Sequence, residues 1–196
     1  MASLVLTGDT SGQVTLAAAA VAGTNTITVQ AATGTMSVNT LATAVASTSG
    51  TSIDFTGLPA WIKRITVILS GVSLSGTSNP LIQLGTGSTT FTTSGYSSAS
   101  TYTNNSANNS LGATATNGCI FFANGTAAAA VSGNITITNV SGNAWVFSGA
   151  GYHTSGLTLT TGGIVTLGAV LTAVRITTVN GTDTFDAGTV NILYEG

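Results

Sequence analysis

Charge is what this chain has least of. Its 196 residues include three Lys or Arg and five Asp or Glu, 4% in all, against about 25% in an ordinary soluble domain. Three cations cannot neutralise a run of phosphates, which excludes nucleic acid as a partner. A lone cysteine, Cys119, closes no disulfide within the chain and suits a reducing cytosol. Histidine is equally scarce. Cys119 and the single His153 fall short of the four ligands of a structural zinc site, so neither metal nor cofactor is expected. Long apolar runs are missing too. Thr, Ser, Asn or Gly interrupts every hydrophobic stretch, so no segment reads as a membrane helix. Aromatics, at 6%, are too few for the girdles of an outer-membrane barrel, and no membrane insertion is expected. Met1 is not followed by a basic stretch and an apolar one, so no secretory signal is expected.

What fills the chain is 43% hydrophobic residues, 25 Gly and 38 Thr. That much apolar material with so little charge is not a disordered tail. Thr, Val and Ile are stiff at χ1 and fit a pleated sheet better than a helix. Period-two alternation recurs in Thr26–Gln30, Arg64–Leu69, Asn134–Val140 and Leu157–Thr160. Near the end, Val174 pairs with Ile176 on one face, and Val190, Ile192 and Tyr194 on another. Such alternation predicts antiparallel strands buried on one side. Asn124-Gly125, Ser132-Gly133, Gly162-Gly163 and Asn180-Gly181 supply turn signals between them. The alanine runs Ala17–Ala20 and Ala127–Ala130 read as extended segments. Edge strands without Lys or Glu guards associate readily, so sheets of this composition are expected to be covered by sister copies.

Composition divides the chain at residue 48. Residues 1–48 hold no aromatic and one charge, Asp9. They read as an extended N-terminal segment that anchors or intertwines, with a disordered leader as the alternative. Leu4, Val5, Leu6, Val14 and Leu16 are its candidate anchoring residues. Large apolar side chains begin at Ile53 and Phe55, so 49–196 reads as the globular β domain. Within it, Thr92 to Asn117 is poor in apolar residues and reads as a long loop. Tyr96, Tyr102, Asn104, Asn105 and Asn108 stand there among Ser and Thr. Rigid rings beside adaptable hydrogen bonders make a recognition surface, and a solvated loop with one edge strand is the alternative.

Catalytic patterns are poor. His153 stands without a G-x-S-x-G elbow and reads as a surface or strand-end residue. Asp183 and Asp186, in a stretch rich in Gly and Thr, read as a polar connection rather than a glycosidase pair. Leu84–Thr89 has the glycines of a phosphate loop but no Lys, and reads as a hairpin turn. Lys63 and Arg64, beside Trp61, and Arg175 are expected to pair with Asp54, Asp183 or Asp186. As a basic receptor patch they are too few. No enzyme is expected.

Three segments carry a family likeness. TSIDFTGLPAWIKRITV (51–67) and LTAVRITTVNGTDTFDAGTVNILY (171–194) resemble parts of tail-fibre and related virion proteins of tailed bacteriophages. The opening TGDTSGQVTL (7–16) and GTNTI (23–27) look like a fibre or spike leader. The resemblance implies a virion structural protein made in the bacterial cytoplasm: a homotrimer, anchored to other virion proteins by its N-terminus. Its C-terminal domain would be exposed for attachment to a host-surface glycan. The short length fits a short tail fibre, a head fibre or a capsid decoration protein. The expected fold is an all-β, antiparallel jelly-roll-like sandwich preceded by the extended N-terminal segment.

Overall fold

β-branched residues at every second position build the longest strands, and they pair antiparallel throughout. The computed structural model describes residues 3–7, 13–17, 37–104, 110–121, 126–127 and 129–196. These fall into two units, Met1–Met36 and Ser37–Gly196. The first holds a hairpin of β1 (Ser3–Thr7) and β2 (Gln13–Ala17). Leu4 stands opposite Leu16, Leu6 opposite Val14 and Val5 opposite Thr15, so the five candidate anchoring residues occupy three successive rungs. Thr26–Gln30 and Ala18–Ala20 lie outside the described residues.

The second unit is all-β and sandwich-like, with no helix among the described residues. One sheet has four strands in the order β10-β7-β14-β5. These are β5 (Ile53–Thr56), β7 (Pro80–Gly85), β10 (Cys119–Ile120) and β14 (Ala173–Thr178). The other has nine, in the order β3-β15-β6-β11-β12-β13-β8-β9, with β4 also on β15. Its members are β3 (Asn39–Leu41), β4 (Val45–Ala46), β6 (Arg64–Leu74), β8 (Ser97–Asn104) and β9 (Ser110–Ala115). To these add β11 (Val131–Ser141), β12 (Ala144–His153), β13 (Leu157–Thr166) and β15 (Phe185–Glu195). β3 and β4 lie before residue 49, so this sheet recruits part of the charge-poor N-terminal stretch to cover β15.

One core joins the two sheets. Ile65, Val67 and Leu69 of β6, Ile135 and Ile137 of β11, and Val190 and Ile192 of β15 meet Phe55, Ile82, Leu84, Val174 and Ile176 of the smaller sheet. β7 is buried at all six positions. Ile82 and Leu84 face the main core, whereas Leu81 packs with Ala115 and Ile120 in a second small cluster. A strand covered on both faces reads as a near-continuous apolar run, which PLIQLG is.

The structure corrects one large expectation. Most of Thr92–Asn117 is not a loop but the antiparallel pair β8 and β9, with Ser98 opposite Ala115 and Thr103 opposite Ser110. The alternation escapes notice because its inward positions are serines. Ser98 Oγ lies 3.0 Å from the Ala115 carbonyl and 2.9 Å from that of Gly118, and accepts the Ile120 N–H at 3.2 Å. Ser100 Oγ donates to the Thr160 carbonyl at 3.0 Å. Hydrogen bonds satisfy these buried hydroxyls where other strands use hydrocarbon. Of the second alanine run, Thr126 and Ala127 open a turn, Ala129 donates back to the Thr126 carbonyl, and strand begins only at Val131. The Leu84–Thr89 segment is the hairpin turn expected, with Thr86 N–H bonded to the Thr90 carbonyl and Gly85 bridged to Phe91.

Candidate interaction surface

Of the residues proposed from sequence for recognition, the three that are described, Tyr96, Tyr102 and Asn104, are buried or half-buried. Tyr96 is 2% exposed. Its phenol oxygen accepts the Leu84 N–H at 2.7 Å, and its ring tilts against Phe147 with centroids 6.1 Å apart. Burial pushes the phenol well above its ordinary range. Tyr96 is therefore a core residue, polar only to serve a backbone donor. Tyr102 is half-buried against the core, and Asn104 closes β8 beside Leu157. Asn105 and Asn108 lie outside the described residues. Tyr96→Phe is expected to lower stability by about 1–3 kcal/mol, because the Leu84 N–H loses its acceptor. Urea unfolding reads this, and a variant as stable as the native protein contradicts the assignment.

The carboxylates of the described residues are each engaged separately. Asp54 takes a bidentate pair from Arg175, 2.8 Å from Nε and 2.7 Å from Nη2, across the β5–β14 rung that sets them opposite. The same guanidinium lies 4.0 Å above the Phe91 ring. Arg64 pairs with Glu195, its register partner on β15, and not with an aspartate as expected. Asp183 and Asp186 are occupied elsewhere. Asp183 accepts from Asn180 Nδ2 and from the Ser78 N–H, both at 2.8 Å, and these bonds hold its carboxyl below the usual range. Asp186 accepts from the Ser73 hydroxyl. Asp9 lies outside the described residues. Among the described residues, no three His, Cys, Asp or Glu gather. Cys119 is buried, and burial pushes its thiol up to about 12, so it is a neutral packing residue at pH 7.

His153 does end a strand, but it is 0% exposed rather than on the surface. The Ser155 N–H donates to its Nδ1 at 3.2 Å, which holds that nitrogen unprotonated. Desolvation lowers its pKa below 6.5. The unfolded chain takes up this proton near pH 6.5, whereas the fold resists it. The contribution is therefore complete above pH 6.5 and is lost as pH falls below it. As this is the only histidine, urea midpoints are expected to drop between about pH 7 and pH 5, and His153→Phe to flatten that slope. An unchanged slope in the variant contradicts the assignment.

One broad surface feature among the described residues is one the residue patterns did not reveal. No Lys, Arg, Asp or Glu occurs between Arg64 and Arg175. That interval supplies all of β11, β12, β13, β8 and β9, which are consecutive neighbours in the larger sheet. Their solvent face is a grid of Thr, Ser, Ala and Asn. Across it, Ile68, Asn134, Ala150, Thr160 and Thr101 stand side by side, with Thr160 and Thr101 hydroxyls 2.9 Å apart. Val146 sits directly opposite Ile164, and both are exposed, as is Tyr152. From β11 to β9 five strands, about 4.8 Å apart and about eight residues long, span about 650 Å², most of the share one partner gives to a standard interface. The outermost strand, β9, carries no charged guard. The signal was in the sequence as outward-facing threonines, but only the pairing shows that they form one surface.

No family model, no curated protein and no solved structure matches the chain.

Proposed function

We propose that this chain is a bacteriophage virion structural protein, a short fibre that works as a homotrimer. One observation carries the reading: a charge-free face of five neighbouring strands, β11 to β9, with an unguarded edge. Left in water, such a surface invites uncontrolled strand association, and sister copies are its natural cover. The resemblance of 51–67, 171–194 and the opening segment to tail-fibre proteins supports the virion setting and the trimer.

The pairing supports a jelly roll. β5 pairs with β14, β6 with β11, β7 with β10 and β8 with β9. These pairs nest as one long hairpin rolled across two sheets, with β12 and β13 widening one arm and β15 added beside β6. Viral coat and lectin domains share that architecture, an analogy of fold and not of site. In this reading the β1–β2 hairpin, with Leu4, Val5, Leu6, Val14 and Leu16, anchors the chain to another virion protein. The β domain faces outward, where a trimer multiplies weak contacts with a host-surface glycan. No catalytic role is proposed. Capsid decoration is the second reading, since the same sheet face serves a cement protein equally well.

Binding of labelled protein to cells of the propagating bacterium tests the reading. Saturable binding is expected. Its absence, with antibody label confined to the capsid of intact particles, overturns attachment in favour of decoration.

A further inference from the structure

In a chain this poor in charge, Lys63, Arg64 and Glu195 all border one open recess, where β6 begins and β15 ends. It measures about 350 Å³, and Thr138 and Asn139 of β11 add polar side chains to its wall. Arg64 pairs with Glu195 through Nε and Oε1. That leaves the Nη groups of the guanidinium to donate and Oε2 of the carboxylate to accept.

Trp61 stands at the rim. Gly196 lines the recess and abuts the indole, since a Cβ added there would lie 3.1 Å from Trp61 Cε3. Trp61 is 42% exposed, and Tyr152 is the other aromatic among the described residues with so much surface in water. Tyr152 has only Ser132 and Thr158 beside it in the sheet, whereas Trp61 has the ion pair and the recess. The indole is also held in place. It leans on Tyr194 with centroids 6.0 Å apart, and its turn is pinned on both sides. Leu58 N–H donates to the Thr172 carbonyl at 2.9 Å, and Lys63 N–H to that of Glu195 at 2.8 Å. A ring ordered in advance loses little freedom when a ligand covers it.

A flat apolar ring next to fixed donors and fixed acceptors is complementary to a sugar. The C–H face of a pyranose covers the indole, and each hydroxyl both gives and takes a hydrogen bond. A carboxylate or phosphate would face Glu195 and an ammonium would face Arg64, so a neutral ligand uses the pair best. Ligand pockets begin near about 300 Å³, so the recess has room for a ring that neighbours the stacked one.

We propose that this corner binds a neutral glycan, with one pyranose ring stacked on Trp61 and hydroxyls of the next held by Arg64 and Glu195. The proposal rests on the attachment reading for its biological use, and on this geometry for the binding. It sets the glycan contact where β6 and β15 meet the end of the sandwich, not on the β8–β9 pair.

The test is titration of the full chain with cellobiose and with lactose, two neutral disaccharides, and with mannitol, a polyol without a ring face. Ligand-detected saturation-transfer NMR reads the binding, and circular dichroism checks the fold of each variant. Saturable binding of at least one disaccharide is expected, with the strongest transfer to ring C–H protons, and none of mannitol. Trp61→Ala is expected to weaken the disaccharide at least about tenfold, and Trp61→Phe, which keeps a ring, by less. Glu195→Gln, which takes the charge from the acceptor, is expected to weaken it about fivefold. Tyr152→Ala is expected to bind like the native protein. Failure of both disaccharides to bind overturns the proposal, as does native-like affinity in a folded Trp61→Ala or Glu195→Gln protein. A folded Trp61→Ala protein that no longer self-associates makes Trp61 a subunit contact and overturns it as well. Cells that bind Trp61→Ala as well as the native protein overturn the site and leave the attachment reading standing. Disaccharide binding that needs Trp61, in a protein that does not attach to cells, supports the site and overturns attachment.

Discussion

An Ala150→Lys protein is expected to sediment as a single folded chain under conditions in which the native protein is expected to sediment as the proposed trimer. Ala150 is exposed, mid-strand on β12, between Asn134 on β11 and Thr160 on β13. On a free surface its replacement changes stability by no more than about 0.5 kcal/mol. Between two copies the same ammonium is stripped of water with no counter-charge nearby, because no carboxylate lies on β11, β12, β13, β8 or β9. Such a desolvation costs several kcal/mol per ion, and each copy in the proposed trimer contributes one. The expected outcome is loss of assembly with far-ultraviolet circular dichroism unchanged. Ala150→Ser, which adds a hydroxyl to a face already rich in them, is expected to leave the trimer intact. A lysine variant that stays trimeric at dilution places the subunit contact elsewhere.

Gly188→Ala is expected to be among the most damaging single substitutions in the β domain. Gly188 sits where the register between β15 and β6 slips, with φ +97°, and Gly71 lies across from it with φ +62°. An added Cβ at Gly188 would stand 2.6 Å from the Val72 nitrogen and closer still to the Gly71 carbonyl. Backbone cannot yield as a side-chain tip does. The left-handed conformation adds about 1–2 kcal/mol and the overlap about 1–3 more, so a loss of about 2–5 kcal/mol is expected. Gly71→Ala is the control. It shares the positive φ but meets nothing within 4 Å, so only the conformational cost of about 1–2 kcal/mol applies. Urea midpoints at one fixed protein concentration read both. Equal losses in the two variants contradict the steric account of this bulge.

The strands that were legible carry their alternation in hydrocarbon. Ile65, Val67 and Leu69, and Ile135 and Ile137, announce which face is buried because their partners on the other face, Ile68 apart, are Thr, Arg or Asn. β8 was not legible, since Ser98 and Ser100 take the inward places and hydropathy cannot tell a satisfied buried hydroxyl from a solvated one. Tyr96 misled for a related reason. A tyrosine among serines reads as a recognition residue until the Leu84 N–H that needs its oxygen comes into view. Arg175 and Asp54 were foreseeable as a pair because so few acids were available. Arg64 and Glu195 were not, because nothing but the β6–β15 register sets Glu195 opposite Arg64.

A sheet face that is wide, neutral and rich in threonine makes sense when it is shared, and the mass of the native protein in solution tests that directly. Sedimentation velocity across a dilution series down to nanomolar protein is expected to hold at three chain masses. A folded species of one chain mass at every concentration would contradict the account.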